Sequence, residues 1–250
     1  MRIELAGKRG LVTGGSRGIG RAIALGLAEA GAAVSICARG ADGLAQARDE
    51  IAAFGVAAHA AACDVADAAA LAAYVDAAAA ALGGIDILVC NASGFGTSHD
   101  EVGWQTSIDV DLLGTVRAIR AAVPYLEQSG AGAIVNISSI SGLVASARTP
   151  PYGAVKAALV EYTQTEASLL AKKGIRVNCV APGSIEFPGG SWAKRKTDNP
   201  PLYNAILRSI PFGRLGHPEE VAQVVVFLAS PLAGWVTGQT ISVDGGQLLR

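Results

Sequence analysis

The stretch TGGSRGIG, Thr13 to Gly20, decides the fold. It follows RGLVT, a run with the composition of a strand, and leads directly into GIGRAIALGLAEAG, whose apolar spacing predicts a helix. A strand that turns through glycines into a helix gathers unpaired main-chain N–H groups and the positive end of the helix dipole at one point, which suits a pyrophosphate. The glycines Gly14, Gly18 and Gly20 are spaced GxxxGxG rather than GxGxxG, with Ser16, Arg17 and Ile19 between them. Such a loop serves either as a plain tight turn or as a dinucleotide cradle.

Outward from this loop, β-rich and helical runs alternate to the end of the chain. Further strands are expected at AVSICAR, VAAHAAAC, IDILVCN, AIVNIS, IRVNCVAP and TISVD, and helices over 41–54, 67–82, 101–128, 152–173 and 217–229. The strands are apolar nearly throughout, as strands buried on both faces must be. Strict alternation predicts a doubly wound parallel α/β sheet of the Rossmann type, in a single domain over residues 1–250. The stretch SIEFPGGSWAKRKTDNPPLYN exceeds ordinary loop lengths, carries a basic triplet, and reads as an irregular substrate lid at about 184–208.

Composition narrows the partners. Lys and Arg total 20 and Asp and Glu 21, so no net field draws the chain to nucleic acid or to an anionic membrane, and a small-molecule partner is expected. No signal-like apolar run precedes the first glycines, and the longest uncharged segments are interrupted by Ser, Asn, Gly or Pro. A cytoplasmic protein without a transmembrane segment is the expectation. Cys37, Cys63, Cys90 and Cys179 form no CxxC pair and have no histidines at zinc spacing, so reduced thiols and no metal are expected.

The second strand ends in Ala38-Arg39, where an NAD-selective fold carries an acid for the ribose 2′-hydroxyl. Arg39 with Arg17 suits a 2′-phosphate instead, which predicts NADP(H) over NAD(H); two solvated surface arginines are the alternative. Downstream, Tyr152 and Lys156 stand four apart on an expected helix and so share a face, as reactive partners or as ordinary surface residues. An ammonium there would favour phenolate over phenol. Ser139 closes the strand AIVNIS at the carboxyl edge where open α/β sheets bind ligands.

TGGSRGIG and YGAVK, taken with CDV at 63–65, NASG at 91–94, RVNCVAPGSI at 176–185, GRLGHPEEVA and TGQTISVDGG, resemble the short-chain dehydrogenase/reductase family along essentially the whole chain. Within it the likeness is strong to 3-oxoacyl-carrier-protein reductases. The resemblance implies that Tyr152 is the acid in carbonyl reduction, that Lys156 tunes it and binds the nicotinamide ribose, and that Ser139 orients the substrate oxygen. It implies cofactor contacts at Asp64, Val65, Asn91, Ala92, Pro182, Gly183 and Ile185. It also implies a homotetramer or homodimer, with the helices at 101–128 and 152–173 pairing across the dimer.

The chain departs from the family's pattern at three places. Cys90 replaces the first Asn of NNAG, Phe187 stands where a threonine often bonds the nicotinamide carboxamide, and Asp111 replaces an Asn three residues before Gly114. In the family that Asn sits at a helix distortion, where its main-chain carbonyl holds a water on the proton path to the lysine. Its side chain donates a hydrogen bond, which an ionised Asp cannot do, so a buried Asp111 must find donors or stay protonated. Phe95, Leu143, Val144, Trp192 and Tyr203 fall on segments that line the substrate side in similar enzymes, either contacting an apolar substrate or packing the lid. The expected function is reduction of a ketone to a secondary alcohol. A small ketone or a free or coenzyme-A-linked oxo compound is weighted above a carrier-bound one, because LEQSGAG offers no basic docking surface. Oxidative alcohol or diol dehydrogenation, or a non-catalytic NADP-binding regulator, are the other readings.

Overall fold

Every neighbouring pair of strands runs parallel, so each connection must cross a face of the sheet. The computed structural model describes residues 3–41 and 43–249. Strands β1 (Arg9–Thr13), β2 (Ala33–Ala38), β3 (Ala58–Ala62), β4 (Ile87–Cys90), β5 (Ala133–Ile137), β6 (Arg176–Pro182) and β7 (Thr240–Val243) lie in the order β3-β2-β1-β4-β5-β6-β7. Helices α1 (Gly18–Glu29) and α2 (Leu44–Ala52) share one face with α9, whose range is Pro218–Ala229, around Ile23, Leu27, Ile51 and Val225. Helices α3 (Ala68–Leu82), α5 (Gly114–Ser129) and α6 (Pro150–Leu170) cover the other around Leu71, Leu88, Ile119 and Leu126. The central strands are buried along nearly their whole length, while β3 and β7 at the edges are only half-buried.

Three expected elements come out differently. The helix expected over 41–54 begins at Leu44, and residue 42, like 1, 2 and 250, lies outside the described residues. The helix expected over 101–128 is broken into α4 (Glu101–Thr106), a π-helical stretch Ser107–Leu113, and α5. Gly114 there donates its N–H to the carbonyl of Asp109, five residues back. The segment read as irregular holds two helices, α7 (Ser191–Asp198) and α8 (Pro200–Ser209), parted by Asn199, whose side chain accepts from the Leu202 N–H. Pro200 and Pro201 suit the first turn of α8, where their missing N–H groups cost nothing. The first of these helices is too short and too charged to show an apolar stripe.

Chain directions diverge from β1 and β4, and the crevice opens at their carboxyl ends, where α/β sheets bind ligands. The two strand ends are tied together there. The Thr13 hydroxyl accepts the N–H groups of Asn91 (3.0 Å) and Ala92 (3.1 Å), and the Asn91 amide donates to the carbonyls of Thr13 (2.9 Å) and Gly14 (3.1 Å). Gly20 closes the loop from the helix side, since a methyl group on it would overlap both the Gly14 carbonyl and the Asn91 amide. Gly20→Ala should therefore spread the loop and lower stability by about 1–3 kcal/mol, as overpacking does, with denaturant midpoints as the check. A midpoint equal to that of the wild type would show that the loop yields freely.

Candidate active site

One continuous cleft of about 1540 Å³ runs along the carboxyl edge of the sheet. At one end it is walled by the glycine loop. No side chain caps the start of α1 and no acid stands in its first turn, so the N–H groups there face the cleft without a negative neighbour of their own. Gly14, Ser16, Arg17, Ile19, Gly20 and Arg39 line this end, with Asp64, Val65, Asn91 and Ala92 beyond. Among the described residues neither Arg17 nor Arg39 has an acidic partner. The shape, the open helix terminus and the two cations fit a dinucleotide. Gly18 is the one expected loop residue away from the wall, because the ring of Phe187 lies over it.

The middle of the cleft carries Ser139, Tyr152 and Lys156, with Pro182, Gly183 and Ile185 on the adjoining strand end. The turn after β5 presses against α6. A methyl group on Gly142 would overlap the main chain of Lys156, and the Ser138 hydroxyl donates to the Lys156 carbonyl at 2.7 Å. That approach brings the Ser139 side chain to the Tyr152 hydroxyl. The ring of Phe95, the one non-glycine residue with positive φ among those described (50°), meets the Tyr152 ring edge-on at 5.1 Å.

Lys156 is buried, and its ammonium donates to the Ile137 carbonyl at 3.0 Å. The same ammonium lies 3.0 Å from Oδ1 of Asp111, which is itself fully buried, and 5.4 Å from the Tyr152 ring centre. Oδ2 of Asp111 accepts the N–H of Gly94 at 2.9 Å. So the carboxylate has one main-chain donor, on Oδ2, and one cation paired with Oδ1. Its main-chain carbonyl accepts from the Thr115 hydroxyl at 2.8 Å. The π-helical stretch turns Asp111 inward while Asp109 stays toward solvent, accepting from Gln105 at 2.8 Å. Asp111 does not line the cleft and meets it only through Lys156, with which it pairs.

The charges decide the state of the phenol. Burial removes water from Tyr152 and raises its pKa; Lys156 pulls it down, Asp111 pushes it up and the Ser139 hydrogen bond pulls it down, and the net direction is upward. The lowering expected from Lys156 is present but outweighed. Burial opposes the Lys156 charge, yet Asp111 and Tyr152 together raise its pKa, so it stays an ammonium. The nearby Cys90 thiol is pushed up to about 12 by burial, and burial raises Cys179 too, so neither adds a charge.

On the outer wall, Phe95, Val144 and Trp192 line the cleft as expected, but Leu143 and Tyr203 do not. Tyr203 is buried beside Ile210 and Leu215 and donates to Glu186 at 2.7 Å, holding the α7–α8 segment down. Sequence reading missed three contributors. The Gly94 N–H that anchors Asp111 has no side-chain signature; Gln247, whose amide oxygen accepts the Ser184 N–H at 3.0 Å, comes from the far end of the chain; and Arg148 lies in a loop of no pattern.

Among the described residues no helix is long and apolar enough to cross a membrane, and no three His, Cys, Asp or Glu side chains are grouped to hold a metal ion. The family model described as enoyl-(acyl carrier protein) reductase matches residues 14–247. Isoepoxydon dehydrogenase of Aspergillus clavatus is 41% identical over 97% of this chain and 95% of its own, and the 3-oxoacyl-[acyl-carrier-protein] reductase of Staphylococcus aureus 39% over 97% and 98%. Among solved structures, L-sorbose reductase from Gluconobacter frateurii, complexed with NADPH and L-sorbose, superposes with a TM-score of 0.92 at 34% identity over 100% of both chains. A 7α-hydroxysteroid dehydrogenase complexed with NADH and 7-oxo glycochenodeoxycholic acid gives 0.91 at 33% identity, over 97% of this chain and 95% of that one. Taken with the glycine loop and the Ser139, Tyr152 and Lys156 cluster on one cleft, these likenesses mean that the chain belongs to the short-chain dehydrogenase/reductase family and is an oxidoreductase of keto and alcohol groups.

Proposed function

We propose that the protein reduces a ketone to a secondary alcohol with NADP(H), Tyr152 giving the proton. One observation carries this reading: Tyr152 is buried and the Asp111 carboxylate stands 3.0 Å from the Lys156 ammonium, so burial and that carboxylate together outweigh the cation's pull on the phenol. A tyrosine held as phenol is a proton donor, which is what reduction requires and what oxidation must first undo. When bound, the reduced nicotinamide supplies the hydride. Ser139 donates to the substrate oxygen and orients it, Tyr152 passes its proton to the same oxygen, and Lys156 steadies the resulting phenolate. Arg17 and Arg39 neutralise the 2′-phosphate, Asp64, Val65, Asn91 and Ala92 flank the nucleoside, and Pro182, Gly183 and Ile185 back the nicotinamide. Residues 184–208, largely α7 and α8, act as the lid, with Phe95, Val144 and Trp192 against the substrate.

The four buried thiols suit a reducing compartment such as the cytoplasm. Association into a homotetramer or homodimer is part of this reading, and the exposed apolar side chains Val102 on α4 and Leu169 on α6 suit it.

Tyr152→Phe should keep NADPH binding, read by cofactor fluorescence, and lose about 100- to 10,000-fold in turnover, the span of acid–base contributions; turnover near that of the wild type would end the assignment. Arg39→Ala should lower the ratio of kcat/KM with NADPH to that with NADH about tenfold or more, the scale of a lost charge-assisted contact. A wild-type enzyme that prefers NADH would contradict the cofactor reading outright. For pH, the sign follows from the charges. Asp111 raises the Tyr152 pKa, so Asp111→Asn lets the phenol ionise at lower pH. The ascending limb of the pH profile of alcohol oxidation, which needs phenolate, then moves toward lower pH; an unmoved limb means the carboxylate charge does not reach Tyr152.

A further inference from the structure

We infer that the substrate carries an oxyanion, and that Arg195 and Arg148 at the mouth of the cleft recognise it. This rests on the proposed ketone reduction and narrows its substrate class. Among the described residues the cleft wall holds six cations, Arg17, Arg39, Arg148, Lys156, Lys194 and Arg195, and one carboxylate, Asp64. That imbalance occurs in a chain whose formal net charge is −1, so it belongs to the cleft and not to the protein as a whole. Arg17 and Arg39 stand at the nucleotide end, and Lys156 is neutralised by Asp111. Arg148, Lys194 and Arg195 are left over. They come from the same two segments that supply Val144 and Trp192, which is the substrate end.

The basic triplet Lys194-Arg195-Lys196 is divided by its helix. Lys196 turns away to Glu186, 3.2 Å off, and lies over the Tyr203 ring at 5.5 Å. Arg195, three residues after Trp192 and so on its face, stacks on the indole with its guanidinium 4.9 Å from the ring centre. Among the described residues Arg148, Lys194 and Arg195 have no acidic partner. Long cations on an ordinary surface are free to swing, but Arg195 is half-buried and held by an aromatic ring that is itself part of the wall. A planar fork fixed in that way is arranged to meet a carboxylate or phosphate, while Trp192, Phe95 and Val144 accept the apolar body that carries it. Two sources share this chemistry, a carboxylate on a small ketone and a phosphate on a coenzyme-A thioester.

The test uses two matched pairs with NADPH: 4-oxocyclohexanecarboxylate against its methyl ester, and acetoacetyl-coenzyme A against ethyl acetoacetate. The charged member of at least one pair should have the higher kcat/KM, by about tenfold or more, with the advantage shrinking as salt is added. Arg195→Gln should cut that ratio about 10- to 100-fold, mainly through KM of the charged member; Arg148→Gln should cut it in the same direction, and Arg195→Lys should restore part of it. The pair that responds identifies the source of the oxyanion. Because each readout is a ratio, a lid weakened by the substitution lowers both members together and does not imitate the effect. Equal kcat/KM within both pairs, or an advantage that survives in the Arg148→Gln and Arg195→Gln double variant, overturns the inference while leaving ketone reduction standing. Failure to turn over any of the four compounds counts against ketone reduction itself.

Discussion

A buried ammonium has to be partnered, and the Lys156–Asp111 contact is the constraint around which this site is arranged. Taking two ions out of water costs several kcal/mol for each, and removing one member of such a pair typically costs about 3–5 kcal/mol because the other is stranded. Three elements share the task. The strand β5 offers the Ile137 carbonyl to Lys156, the turn after β4 offers the Gly94 N–H to Asp111, and the widened helical turn at Ser107–Leu113 swings the carboxylate inward. A regular α-helix through this segment would hold Asp111 by its own spacing alone. The added residue in the turn frees its direction, in keeping with the association of π-bulges with functional sites.

The sheet makes this contact possible by bringing distant segments to one edge. Asp111 and Lys156 are 45 residues apart, and each lies on a helix that follows a central strand. Parallel order places every strand's carboxyl end on the same side, so the glycine loop, Arg39, Asp64, Asn91, Ser139 and Gly183 meet there although they span most of the chain. The Thr13 and Asn91 hydrogen bonds then fix β1 and β4 against each other at the point where the two halves of the sheet diverge. Asn91 lines the cleft and ties the loop at once, so its side chain is committed before any ligand arrives.

What the sequence discloses divides along a physical line. The strands and most helices are legible because period and glycine placement are local properties, and Ser139, Tyr152 and Lys156 are legible because their spacing is. Asp111 is visible as an anomaly, an acid in an apolar helix, but its partner is not, since an ion pair between two helices leaves no trace in either helix alone. The π-helical turn is equally silent, being a choice that tertiary contacts make. The α7 helix is hidden by its own composition: SWAKRKTD has one large apolar residue, Trp192, on which Arg195 stacks. Leu143 and Tyr203 occupy segments that border the cleft, yet side-chain direction separates a wall residue from one packed beneath it, and segment position does not encode it.

Asp111 also bears on how the reaction handles charge. Hydride arrival at a carbonyl carbon leaves negative charge on the oxygen, which a site relieves either by a nearby cation or by a proton. A lysine without a carboxylate behind it serves both ends, stabilising the oxyanion at a distance and lowering the tyrosine pKa. With Asp111 3.0 Å from the ammonium, the pair presents less positive charge to the cleft than a lone lysine would, and the first of these contributions shrinks. On the proposed reading the burden then passes to proton transfer from Tyr152 and to the Ser139 hydroxyl, both of which act only at contact distance. Such a site is more demanding of geometry than of field. That matches its construction, in which Gly142 seated against the Lys156 main chain, the Ser138 hydroxyl on the Lys156 carbonyl and the edge of Phe95 on Tyr152 all fix position and add no charge.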